Sequence, residues 1–227
     1  MVELLLDTIT VPDFQQQEAW IWIPILIAVA ALGGALIAAF SEETETTKLI
    51  GKSIGVLGMI GSGKTQFLKN LQGEGEKYQL EGYQGTNKAE YQKFTFKIGD
   101  KHYEIKDGID IGGETYNIKP YYERFLENKD ICIFLFDVQK YKDNSEYRKE
   151  TNYRLDFINN HVEDASKCAI IGSHVDKAKI EEGQSIITIV QKLVEGKQYA
   201  RLLNTNFFAY NLTSKEDMNK LLNKLFL

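Results

Sequence analysis

Apolar and polar positions alternate in two rhythms along this chain. Three continuous apolar runs stand out: SIGVLG at Ser53–Gly58, ICIFLFDV at Ile131–Val138 and CAIIGS at Cys168–Ser173. Runs of this length with no polar face predict strands covered on both sides of a sheet. Tyr91–Ile98 and His102–Asp107 alternate around a Gly-Asp-Lys turn and predict a hairpin, and FFAYNL at 207–212 predicts a last strand. Helical spacing covers Gly63–Leu71, Tyr116–Glu127, Asn144–Val162, Ser185–Leu203 and Lys215–Leu227. Strands thus alternate with helices from residue 53 to 227, which predicts an α/β domain with a mostly parallel sheet.

A different pattern precedes that domain. Trp20–Phe40 is 21 residues without a charge. As a helix it would extend about 31 Å, the thickness of a hydrocarbon core. Trp20 and Trp22 sit at one end, where indole rings favour the interface, and Pro24 falls in the first turns. A buried core helix would show some polar face. A cleaved leader would carry basic residues ahead of it, and residues 1–19 contain no Lys or Arg. The run is read as a transmembrane helix over 20–40. Residues 1–19 then form a short non-cytoplasmic tail, 41–52 a polar tether, and 53–227 the domain. Lys48 and Lys52 follow the apolar run closely, so the C-terminal side is expected in the cytoplasm. Ala30, Gly34 and Ala38, with Ala31, Ala35 and Ala39, place small residues at fourfold spacing. Such faces suit close packing against a partner helix, although Ala and Gly are also simply tolerated there.

Charge adds one exclusion. The 227 residues carry a net −5, yet all 27 Lys and Arg lie at position 48 or later, with 25 of the 32 acids, leaving the domain near +2. No basic patch points to nucleic acid. Cys132 and Cys168 lie inside strand-like runs and read as reduced core residues, with a disulfide the minor alternative. Three scattered His and two Cys leave no thiolate–imidazole metal cluster.

The chemistry gathers in loops at strand ends. Gly58-Met59-Ile60-Gly61-Ser62-Gly63-Lys64-Thr65 fits G-x-x-x-x-G-K-[ST], with a strand before it and a helix after. Backbone N–H groups from Gly61 to Thr65 are expected to wrap phosphates at a helix N-terminus. Gly58, Gly61, Ser62, Gly63 and Gln66 complete the cradle. Lys64 would reach the β- and γ-phosphates, and the Thr65 hydroxyl would ligate Mg²⁺. DIGGE, Asp110–Glu114, has the spacing D-x-x-G: Asp110 can hold a Mg²⁺ hydration shell and the Gly113 N–H can sense a γ-phosphate, although Asp110 alone, in the turn-rich DGIDIGG, can also be a turn residue. SHVDK, Ser173–Lys177, offers Asp176, a carboxylate able to accept from N1–H and N2–H₂ of guanine; it can also be a helix cap. In LTSK, Thr213, Ser214 and Lys215 form a third loop, where the Ser214 N–H could bond guanine O6, and where Thr213 or Ser214 could equally cap the last helix. All lie where open α/β sheets bind ligands.

With these motifs in this order, residues 52–227 resemble the Ras-like small GTPases, and within them the Arf branch: DIGGE stands where that branch carries D-[VI]-G-G-Q, followed in register by IKPYYERFLENKDICIFLFDV. The resemblance implies a P-loop G domain with a six-stranded sheet, GTP/GDP and Mg²⁺ as cofactors, and nucleotide-dependent switch loops. It makes Thr86, 21 residues after Thr65, the threonine that ligates Mg²⁺ only with GTP bound. The metal set is then Thr65, Thr86 and Asp110, and the candidate catalytic residues are Lys64, Gly113 and Glu114. One membrane helix ahead of such a domain resembles the beta-subunit family of the signal-recognition-particle receptor. Three departures stand out. The family's N-K-x-D is here Ser173-His174-Val175-Asp176, Glu114 replaces a water-orienting Gln, and Ile60 occupies a loop position often small in the family. The last two predict slow intrinsic hydrolysis. The expected function is a membrane-anchored GTPase switch recruiting a cytoplasmic protein. A subunit that holds GTP without hydrolysing it is the alternative, and an ATP-using P-loop enzyme the third.

Overall fold

The computed structural model describes residues 53–81, 88–91, 93–99, 101–105, 108–111, 122–123, 126 and 129–227. Residues 20–40, expected to span a membrane, lie outside these. Among the described residues no helix is long and apolar enough to cross a bilayer.

The three apolar runs form the centre of the sheet. Strands β1 (Ser53–Gly58), β2 (Lys88–Tyr91), β3 (Phe94–Ile98), β4 (Lys101–Ile105), β5 (Gly108–Ile111), β6 (Ile131–Asp137), β7 (Cys168–Ser173) and β8 (Phe207–Ala209) follow one another along the chain. Six of them build one sheet in the order β3-β4-β1-β6-β7-β8, parallel throughout except for the β3–β4 pair. Helices α1 (Lys64–Leu71), α2 (Gly75–Glu81), α3 (Val138–Asp143), α4 (Ser145–His161), α5 (Ile186–Val194), α6 (Ala200–Asn206) and α7 (Lys215–Phe226) join and cover the strands.

Strand pleating explains why both faces had to be apolar. In β6, Cys132, Phe134 and Phe136 enter a core with Leu155, Ile158, Val190 and Leu202. Ile131, Ile133 and Leu135 enter the opposite core with Phe67, Leu71, Leu221 and Leu225. Period-two alternation thus feeds two helical layers from one continuous apolar run. Cys132 and Cys168 stand directly opposite each other on β6 and β7, both buried and both free thiols. The neighbouring Cys168 sulfur, and then burial, push the Cys132 thiol well above its ordinary pKa.

Several boundaries differ from the sequence reading. The strand expected over 91–98 is β3, with Tyr91 the last residue of a separate strand β2, and its expected partner over 102–107 is β4, with β5 a further strand beyond it. The β3–β4 and β2–β5 pairings share one register, Phe94 opposite Ile105 and Tyr91 opposite Gly108, although they belong to two sheets. Gly99, which opens the Gly-Asp-Lys turn expected there, takes a left-handed φ of 58°. The single helix expected over 185–203 is α5 and α6, broken before Gly196, which takes a left-handed φ of 73°. The last strand covers three residues of FFAYNL, because Tyr210 leaves the ladder after its N–H bonds the Gly172 carbonyl at 3.0 Å. Two short helices, α2 and α3, had no counterpart in the reading. Of the helix expected over 116–127, only Tyr122, Glu123 and Leu126 are described.

Candidate functional site

The phosphate-binding loop runs from the end of β1 to the start of α1. Its entrance is pinned by β6: Gly58 lies opposite Leu135, and the Met59 N–H donates to the Leu135 carbonyl at 2.9 Å. A Cβ on Gly58 would strike that same carbonyl oxygen, so only glycine permits this approach. Gly63, with φ 83°, turns the chain into α1 with its N–H groups facing the loop's hollow. The Lys64 ammonium is buried and folds back over the loop, donating to the Met59 carbonyl at 2.7 Å and the Gly58 carbonyl at 3.2 Å. Ser62 is fully buried, and its hydroxyl finds no hydrogen-bond partner. Gln66 is buried as well, donating to Asn70 Oδ1 at 3.0 Å and the Gly75 carbonyl at 3.3 Å. Thr65 is half-buried at the first turn of α1. Together, left-handed glycines, helix N–H groups and one lysine make a cradle suited to a polyphosphate.

Two of the other three loops come to this cradle. A Cβ on Gly63 would lie 3.0 Å from Leu212 Cδ1 and 3.9 Å from Ser173 Cβ. The loops at 173–176 and 211–214 therefore abut the phosphate loop. Ser173 is buried, with its hydroxyl 3.2 Å from the Phe136 carbonyl and 2.8 Å from His174 Nδ1. His174 takes a left-handed φ of 60°, rare for a residue with a side chain. Burial holds its imidazole below the ordinary histidine pKa, against the pull of Asp137. Asp176 is exposed. In the third loop the Ser214 N–H donates to the Asn211 carbonyl at 3.1 Å, and its hydroxyl accepts from the Asp217 N–H at 3.3 Å as the cap of α7. The capping alternative weighed for this loop is thus the arrangement the structure has. Thr213 bonds Asn211 through both its N–H and its hydroxyl, and Lys215, exposed, pairs with Glu76 at 3.3 Å.

Thr86, Gly113 and Glu114 lie outside the described residues. Asp110 is placed in β5 by its backbone alone, opposite Ala89. Of the three expected Mg²⁺ ligands only the Thr65 side chain is therefore on view. Among the described residues no group of three or more His, Cys, Asp or Glu is placed to hold a metal ion.

No protein-family model matches the chain, and no curated protein matches it in sequence. Solved structures do. A crystal structure of an SsGBP variant is 17% identical over 76% of this chain and 53% of that one, with a TM-score of 0.50. Methanosarcina barkeri Roco2 RocCORdC bound to GDP is 20% identical over 81% and 50%, with a TM-score of 0.47. The G domain of the T. maritima FeoB iron transporter is 17% identical over 76% and 95%, with a TM-score of 0.48. This chain spans about half the length of the SsGBP and Roco2 structures. At such identity the likeness concerns the fold, and it agrees with the strand order and the glycine loop described above. The chain has the α/β fold of the SsGBP structure, with its glycine loop between the first strand and the first helix.

Around that fold's phosphate loop the structure adds residues that no motif announced. Asp137, buried at the end of β6, caps α3 by accepting from the Lys140 N–H at 3.0 Å. Its own N–H donates to the Tyr147 hydroxyl at 2.9 Å, and burial pushes that phenol well above its usual pKa. Arg154 of α4 is buried, with Nη1 3.0 Å from Met59 Sδ and 3.3 Å from Glu150 Oε2. A cavity of about 410 Å³ opens between the loop's shoulder, Met59 and Ile60, and the α3–α4 residues Lys140, Tyr147, Glu150 and Arg154. Ile60 is 56% exposed at its rim. The one available signal for Asp137 was an acid closing an otherwise apolar run; nothing in the spacing pointed to Arg154.

Proposed function

We propose that this chain is a GTP-binding protein of the small-GTPase kind, anchored to a membrane through residues 20–40, whose GTP state recruits a cytoplasmic protein. One observation supports the nucleotide reading: the loops at 173–176 and 211–214 abut the glycine loop through Gly63, so a ligand touching all three would lie at one end of the sheet. Guanine is the base that Asp176 suits, since a carboxylate accepts from two adjacent donors that adenine lacks. Thr65, with Thr86 and Asp110, would hold Mg²⁺, which would neutralise phosphate charge there. The Arf-like DIGGE sequence and the N-terminal apolar run support the finer reading, a membrane-tethered switch arranged like the receptor beta-subunit family.

The test is extraction of nucleotide from the purified full chain, followed by titration with GTP, GDP and ATP. Guanine nucleotides should be recovered and should bind in preference to ATP. Asp176→Asn should weaken GDP binding by at least ~1–3 kcal/mol, as expected when a polar edge is left unpaired. Equal affinity for ATP and GTP would overturn the guanine reading.

A second reading is supported by Glu114 and by the exposed Ile60 at the loop shoulder. Under it, the chain holds GTP as a standing ligand within a membrane complex. An ionised Glu114 can accept a hydrogen bond from water but cannot donate one to a γ-phosphate, whereas Gln does both. Single-turnover hydrolysis separates the two. Slow wild-type turnover that Glu114→Gln accelerates favours the standing-ligand reading, and fast wild-type turnover favours the switch.

A further inference from the structure

Lys140 belongs to no nucleotide-binding motif, yet its ammonium lies 3.4 Å from where a Cβ on Gly61 would sit. It is therefore in contact range of the phosphate loop's backbone. Among the described residues this ammonium makes no hydrogen bond. The Asp137 Oδ2 atom, 3.8 Å away, is its ion partner, and the Tyr147 ring centroid lies at 5.8 Å. Asp137 is buried and spends Oδ1 on the cap of α3. Its Oδ2 then faces two groups at once, Lys140 Nζ and His174 Nδ1, the latter at 3.6 Å. One buried carboxylate thus ties α3 to the loop at 173–176, beside Gly61. That loop reaches the phosphate cradle through Ser173 and Gly63.

We propose that Lys140 is a nucleotide-contacting residue, steered by Asp137 so that its ammonium meets the ribose and first phosphate between base loop and phosphate loop. This rests on the GTP reading above. A ligand with its phosphates in the Gly61–Thr65 cradle and its base at Asp176 must pass the Gly61–Ser173 border, where Lys140 stands. A lysine there is a compact point charge suited to a phosphate oxygen. The loop itself offers His174 where the resembled family has lysine, and burial disfavours a charge on that imidazole. The cation comes instead from α3.

The experiment titrates a fluorescent GDP analogue, with GDP and GTP as competitors, into the purified full chain and its Lys140→Met and Lys140→Arg variants. Lys140→Met should bind both nucleotides at least tenfold more weakly, by equal factors, and Lys140→Arg should recover most of the loss. The nucleotide-free Tm should fall only slightly, because the lost ion pair with Asp137 is long and half exposed on the lysine side, while the rise in Tm on adding GDP should shrink, because a ligand stabilises only in proportion to its affinity. GDP binding within twofold of wild type in Lys140→Met overturns the proposal, as does a loss confined to GTP or an equal fall in Tm without nucleotide. If the wild type binds neither nucleotide, and Lys64→Ala is indistinguishable from it, the GTP reading itself falls and this inference with it.

Discussion

Asn70 Nδ2 donates to the Leu212 carbonyl at 2.8 Å, joining the helix that starts at the phosphate loop to the loop that follows β8, 142 residues later. Asn70 also accepts from Gln66 Nε2, so the buried Gln66 and the 211–214 loop depend on one side chain. Asn70→Ala would leave a partly buried carbonyl and an amide short of partners, at about 1–3 kcal/mol. For a domain of this size each kcal/mol lowers Tm by about 2–4 °C. Nucleotide affinity should fall as well, since the loop carrying Thr213 and Ser214 loses its brace. An unchanged Tm by circular dichroism would show that this contact is dispensable.

Gly58 and Gly73 offer a matched pair of substitutions. Both have positive φ, but a Cβ on Gly58 meets the Leu135 backbone, while one on Gly73 meets nothing within 4 Å. Gly73→Ala should cost roughly 1–2 kcal/mol from the left-handed backbone alone. Gly58→Ala adds overpacking against a backbone that cannot swing away, a further ~1–3 kcal/mol. Thermal unfolding of the two variants decides it, and equal losses would mean that the approach of β1 to β6 is not tight.

Lys64→Ala should remove most nucleotide affinity, because charge-assisted bonds to phosphate at ~1.5–3 kcal/mol each disappear. It should also lower Tm somewhat without nucleotide, since the Met59 and Gly58 carbonyls lose a buried donor. Thr65→Ala, at a half-buried position, should leave Tm alone and abolish the magnesium dependence of binding. Isothermal titration with and without Mg²⁺ measures both, and a Thr65→Ala protein that still responds to Mg²⁺ would refute the ligand role.

What the sequence made legible follows from what each signal measures. Continuous apolar runs report burial on two faces, so β1, β6 and β7 were found nearly to the residue. The helix break at Gly196 was hidden because Val190, Val194, Leu202 and Leu203, all buried, keep helical spacing across it. Helix α3 was missed for a related reason: Asp137 ends the strand and caps the helix in the same residue, leaving no polar gap to mark a boundary. The phosphate loop was legible because its residues are adjacent in the chain. Its neighbours were not: Lys140, Arg154 and Asn70 reach it from separate helices, and only the sheet's topology sets which side chains arrive at Gly61, Met59 and Leu212. The ladder shared by β2–β5 and β3–β4 likewise follows from register, which alternation within one strand does not encode.

His174 gives the site a pH dependence with a definite sign. Burial lowers its folded pKa, partly opposed by Asp137 and Asp176 and reinforced by Lys177 and Lys140. The unfolded chain therefore binds the proton more readily than the folded one, and stability rises with pH across the interval between the two pKa values. Above the ordinary histidine value of about 6.5 the folded state pays nothing for a neutral ring. As pH falls through that value the unfolded state gains a proton that the folded site resists, and the loss levels off below the folded pKa. His174→Asn tests this cleanly, because Asn tolerates the left-handed φ of 60° and does not titrate. Between pH 8 and pH 5 the Tm of the wild type should drop more steeply than that of His174→Asn, with the gap opening below about pH 7. Parallel curves would show that the ring accepts its proton as readily in the folded protein, with Asp137 Oδ2 facing it, as in the unfolded chain.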